Sequence, residues 1–131
     1  MRARLAVAGY AVMPVAPNPE GTIVEQDEHP KVGIWLMPDN TMPGMLEHFI
    51  SFLGADQDPL WAIADGCLDE IPANLMHFAP NHRVKAHIHT WLAWQEEPGT
   101  PFGSAITKPY LNADAPHAER LIAWVRRLFD L

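Results

Sequence analysis

Only two short stretches of this 131-residue chain read as β-strand, and both lie before residue 39. That lopsided order constrains the fold more than any other feature. "GTIVEQ" (Gly21 to Gln26) suits one strand, "DEHP" a turn, and "KVGIWLMP" (Lys31 to Pro38) a second strand. Together they read as a hairpin with an acidic turn. In the second strand Val32, Ile34 and Leu36 alternate with Gly33, Trp35 and Met37, so both faces are apolar and cover is expected on both sides. Two strands do not make a stable sheet alone. Either helices cover them, or further strands come from another chain.

Before the hairpin, residues 1–9 have helical character ending at Gly9. Residues 10–20 carry Pro14, Pro17, Asn18 and Pro19 and read as a loop. After Pro38 the pattern is helix upon helix. Met45, Leu46, Phe49, Ile50 and Leu53 follow the 3.6-residue period, closed by Gly54. Leu60 to Ile71 forms a second helix, stopped by Pro72, and a loop runs to Asn81. His82 to Glu96 is a third, Gly103 to Leu111 a short fourth, and Pro116 to Phe129 a fifth. That last helix carries Leu121, Ile122, Val125, Leu128 and Phe129 on one stripe. The expected class is α/β, α+β-like in this chain: a hairpin or small sheet of two to three strands followed by a helix-rich C-terminal half. Residues 1–131 read as one domain, with a strand region over 1–40 and a helical region over 41–131. No repeat, low-complexity tract or linker interrupts it.

Composition narrows function. Hydrophobic residues make up 48% and charged residues 19%, a globular balance. The net charge of −7, with nine Lys and Arg, disfavours nucleic acid as a charge-driven partner, although local basic clusters exist at Arg83 and Lys85 and at Arg120, Arg126 and Arg127. The lone Cys67 excludes an internal disulfide and argues against thiolate zinc; it reads as a buried small hydrophobe. No apolar run spans a bilayer, so no membrane association is expected. The opening residues imitate a signal peptide only faintly, and the expected location is cytoplasmic.

Two constellations carry chemistry. Asp39 closes the second strand, and Glu47 borders the apolar stripe of the next helix. Ligands of α/β sheets sit beyond the carboxyl ends of strands. Carboxylates there with waters suit Mg²⁺. The alternative is turn chemistry around "PDNTMPG" and a solvated helix edge. On the third helix His82, Lys85 and His89 share a face, able to hold a phosphate or serve in acid–base work; the alternative is a solvated face. His87 and His89 point different ways and make a poor metal pair. Trp91, Trp94, Phe102, Tyr110 and Trp124 read as core rather than as a base-stacking platform.

Three longer stretches, "VGIWLMPDNTMPGMLEHF", "KAHIHTWLAWQEEPGTPFGSAI" and "YLNADAPHAERLIAWVRRLF", resemble a prokaryotic family related to the toprim domains of overcoming-lysogenization-defect type nucleases. The resemblance covers the chain from about Tyr10 onward. It implies a toprim-like domain in which a glutamate ends a first strand and an Asp-x-Asp pair ends a later one, binding Mg²⁺ for phosphoryl transfer. Neither a strand with that glutamate nor an Asp-x-Asp is read in this chain, so it resembles the C-terminal part of such a domain. The resemblance implies outer metal ligands at Asp39 and Glu47, with Lys85 and His89 as catalytic groups offsetting phosphate charge. Without the principal carboxylates the isolated chain is expected to be inactive. The second expectation is a non-catalytic interaction or structural module. An edge strand without neighbours invites pairing, so self-association or a complementing chain is expected.

Overall fold

The computed structural model describes residues 2–11 and 16–131, apart from the side chain of Arg2. Part of the expected loop, residues 12–15, lies outside the described residues. Among the described residues two strands and six α-helices follow in order: α1 (Arg2–Val7), β1 (Thr22–Val24), β2 (Val32–Ile34), α2 (Leu46–Ser51), α3 (Pro59–Asp69), α4 (Arg83–Ala93), α5 (Phe102–Thr107) and α6 (Pro116–Phe129). The expected class, a small sheet followed by a helix-rich half, is what the chain forms.

The strands pair antiparallel, with Thr22 opposite Ile34, Ile23 opposite Gly33 and Val24 opposite Val32. Both are shorter than expected, because side chains turn the chain early. Asn40 accepts from the Leu36 amide through Oδ1 at 2.7 Å, and its own amide donates to the Leu36 carbonyl at 2.8 Å. Asn40 tolerates the required positive φ of 66°. Thr22 and Val24 are buried, but all three residues of β2 are only half-buried, so the expected cover on both faces of β2 is incomplete.

The cover that exists comes from α6. Its Trp124 ring lies against Trp35, centroids 5.4 Å apart, and the indole Nε1 donates to the Thr22 carbonyl at 3.2 Å. Gly33 permits the approach: a Cβ there would meet Trp124 Cζ2 at 2.7 Å. Arg120 and Arg127 donate to the backbone carbonyls of Pro19 and Glu20. At the other end of the hairpin the Tyr10 hydroxyl donates to the Pro30 carbonyl at 2.6 Å.

The main core lies among the helices. Phe49 and Ile50 of α2 and Leu53 just after it meet Ala64 of α3, Ile88, Trp91 and Leu92 of α4, Ala105 of α5 and Ala118 of α6. Asp58 caps α3 by accepting from the Leu60 amide at 2.9 Å, with Pro59 in the first helical position. Gly54, at φ 87°, ends the turn after α2. On α6 the half turned inward runs through Ala118, Leu121, Trp124 and Leu128, whereas Ile122 and Phe129 are 43% and 64% exposed. The stripe of the expectation is thus rotated toward Trp124, the bulkiest side chain available to the sheet.

Cys67 is a correction: it is exposed, not buried. The face of α3 that enters the core is Ala64 and Leu68, backed by Leu60 and Trp61. Cys67 and Ile63 fall outside it. Trp94 is likewise 40% exposed, while Trp91 and Trp124 are buried as expected.

Candidate functional site

The loop from β2 to α2 places Asp39 and Glu47, and both are buried, each 8% exposed. Asp39 is folded into its own loop. Its Oδ1 accepts from the amides of Thr41 (3.0 Å) and Met42 (3.2 Å), and its Oδ2 from the Thr41 hydroxyl at 2.8 Å. The Thr41 amide above all holds the carboxyl below its ordinary range, against the upward push of burial; the Thr41 hydroxyl, the Met42 amide and the Arg120 guanidinium add to the lowering. These bonds are those of an Asx turn, the turn-chemistry alternative in structural form.

Glu47 stands in the first turn of α2, where a carboxylate complements the free amides of the helix start. Its Oε1 lies 3.4 Å from Lys85 Nζ on α4. The structure therefore brings together one candidate metal ligand and one candidate phosphate-facing cation, as partners of each other. No hydrogen bond or ion pair joins Asp39 to Glu47 among the described residues. His89 is exposed and stacks on Phe102, centroids 5.3 Å apart. His82 lies in the short 3₁₀ turn before α4.

Among the described residues no group of three or more His, Cys, Asp or Glu is placed to hold a metal ion. A divalent ion taken by Asp39 and Glu47 would compete with the Thr41 and Met42 bonds at one and with the Lys85 ammonium at the other. In the arrangement found, the two carboxylates are engaged by protein groups and are not joined by a third ligand among the described residues.

The expected absence of an Asp-x-Asp is corrected by the sequence itself, which contains one, Asp56–Gln57–Asp58. It sits on the 3₁₀ turn Ala55–Gln57 and the cap of α3, not at a strand end. Asp58 is spent on structure: besides the Leu60 amide it accepts from Trp91 Nε1 at 2.9 Å and Gln95 Nε2 at 3.1 Å. The pairing of Asp and Pro ahead of an apolar helix signals this cap in the sequence. Two further pairings escape sequence reasoning because their partners lie far apart in the chain. His87 is buried, with Nε2 2.8 Å from the Trp61 carbonyl and its ring 3.8 Å from that of Trp61. Arg83 is held between Asp65 (2.6 Å) and Asp69 (2.9 Å), one turn apart on α3. The basic clusters noted in the sequence are therefore largely committed: Arg83 and Lys85 to carboxylates, Arg120 and Arg127 to backbone carbonyls.

The fold and these contacts describe a small mixed α/β protein with buried carboxylates engaged by protein groups. A family model described as a protein of unknown function (DUF3226) matches residues 1–130, and the chain belongs to that family. No curated protein and no solved structure matches it. None of the helices described is long and apolar enough to cross a membrane.

Proposed function

We propose that this chain is a non-catalytic interaction module whose two-stranded sheet is extended by a strand from a second copy or a complementing chain. The observation that carries this reading is the sheet itself. It has two strands of three residues, pairing only with each other among the described residues, and α6 packs on it. A pair so short is marginal without further strands or cover, and free strand edges take up extended chains through their backbone groups. A second feature supports it. Lys31 pairs with Asp130 at 2.8 Å, which holds the end of α6 beside the start of β2. Next to that ion pair Phe129 and Leu131 are 64% and 85% exposed, apolar surface of the kind that marks contact sites. Light scattering after size-exclusion chromatography tests the reading. A dimer that weakens with Ile23→Pro or Phe129→Asp supports it. A stable, cooperatively unfolding monomer at all concentrations, which also captures no strand peptide, overturns it.

A second reading rests on the burial of both Asp39 and Glu47. In it the chain is part of a toprim-like domain for Mg²⁺-dependent phosphoryl transfer, with Asp39 and Glu47 as outer ligands and Lys85 and His89 offsetting phosphate charge. Calorimetry with Mg²⁺ or Mn²⁺ separates the two readings. Metal binding abolished by Asp39→Ala favours the second; no heat at millimolar metal leaves the interaction module.

A further inference from the structure

We propose that the cleft formed by the end of α2, the turn after it, α3 and the start of α6 binds a small molecule bearing a quaternary or methylated ammonium group. The cleft has a volume of about 320 Å³ and is lined by Ser51, Phe52, Asp56, Trp61 and His117. That is the scale of small-ligand sites. This inference does not rest on strand pairing.

Three observations set the chemistry. Three of the five lining side chains are aromatic: Phe52 stacks on His117 with centroids 4.3 Å apart, and Trp61 is the third ring. Trp61 is packed against two buried side chains, His87 with centroids 3.8 Å away and Trp91 edge-on at 5.6 Å. A ring fixed before the ligand arrives loses little entropy on binding. The single formal charge lining the cleft is the carboxylate of exposed Asp56, which pairs with no cation among the described residues. No Lys or Arg lines it. Aromatic rings around one carboxylate attract a cation through ring quadrupoles and Coulomb attraction together.

The acceptor count distinguishes cations. A bare ammonium brings three N–H donors that each need an acceptor. Besides Asp56 the lining offers the Ser51 hydroxyl oxygen, whose own proton goes to the His48 carbonyl at 2.7 Å, whereas the Phe52 and Trp61 rings give an N–H no full acceptor. An alkylated ammonium has few or no N–H groups, and its methyls pack on the rings. The chain's net charge of −7 favours its approach.

The test is a titration of the ¹⁵N-labelled full chain with tetramethylammonium chloride and with choline, against sodium chloride at matched ionic strength. Saturable shifts are expected at the amides of residues 51–61 and 117 and at the Trp61 indole. Asp56→Asn, at an exposed and unpaired position, is expected to fold normally and to weaken binding about fivefold. Phe52→Leu is expected to weaken it by a similar factor, and if it fails to fold, Asp56→Asn decides. Absence of saturable shifts at tens of millimolar, or unchanged affinity in Asp56→Asn, overturns the proposal. A trimethyllysine peptide that binds more tightly than choline overturns the assignment to a small molecule.

Discussion

Glu47 and Lys85 face each other across the α2–α4 packing, with 3.4 Å between carboxylate oxygen and ammonium nitrogen. Their exposures differ: the Glu47 side chain is 11% exposed and that of Lys85 54%. The carboxylate depends on the lysine more than the lysine depends on the carboxylate. Lys85→Met strands a buried charge and is expected to cost about 1–2 kcal/mol. Glu47→Gln leaves the lysine in water and is expected to cost less than about 1 kcal/mol. Urea unfolding of both variants measures the asymmetry; equal losses would show a pair of ordinary surface type.

Asp58 is expected to be the most costly carboxylate to remove. It satisfies the start of α3 and two side-chain donors from α4 and the segment after it. Asp58→Ala removes a cap and leaves the buried Trp91 N–H without an acceptor, for a loss of about 2–3 kcal/mol. Asp58→Ser keeps the cap without the reach to Trp91 and is expected to recover about 1 kcal/mol. Thermal unfolding followed by far-UV circular dichroism reads both.

Acid sensitivity follows from two depressed carboxyls. Asp39 is lowered chiefly by the Thr41 amide. At Asp58 burial pushes upward, but the Leu60 amide, the Trp91 indole and the Gln95 amide outweigh it. Each folded-state value lies below the ordinary 3.8, so the unfolded chain takes up protons first. The stability they contribute is whole above that value and is lost as pH falls through the folded-state values. Unfolding measured from about pH 5 to about pH 2 should show a steep decline that is shallower in Asp39→Asn and in Asp58→Asn. Parallel curves for wild type and Asp39→Asn would mean that its hydrogen bonds do not favour the ionised form.

Two glycines are expected to respond oppositely to alanine. Gly21 holds φ at 81°, and a Cβ there would collide with the Trp124 ring. Gly21→Ala is expected to cost about 2–3 kcal/mol through backbone strain and overpacking. Gly66 lies inside α3 with nothing within 4 Å of an added Cβ. Gly66→Ala is expected to stabilise by about 0.5–1 kcal/mol. Paired denaturation curves test both signs.

What the sequence made legible was what depends on period and punctuation. Pro116 to Phe129 is helical over the span its apolar spacing indicates, and Gly54 stops the turn after α2 because it alone there can take a left-handed φ without strain. The strand pair was legible from its flanking turns, but its length was not, since Asn40 closes the chain onto Leu36 by a side-chain bond. Cys67 was misplaced because α3 is apolar nearly all round, with Ile63 and Cys67 beside the residues that enter the core. Composition cannot choose among such faces; the neighbouring helix does. The same limit applies to the site. Asp39 and Glu47 were visible as carboxylates near a strand end, yet what each one touches depends on residues distant in sequence or on loop shape. The partners of Asp58, His87 and Arg83 were missed for that reason.

Helix α6 has one further consequence. Its first turns belong to the helical core through Ala118, and about 9–15 Å further along its last turns carry the hairpin through Trp124 and Leu128. It acts as a splint between two regions too small to stand independently. Severing the chain between Asn112 and Ala115 would free the splint as a separate peptide while the ribbon stays joined to the helical core, and the nicked complex should then melt at lower temperature than the intact molecule, which is expected to come apart in a single step.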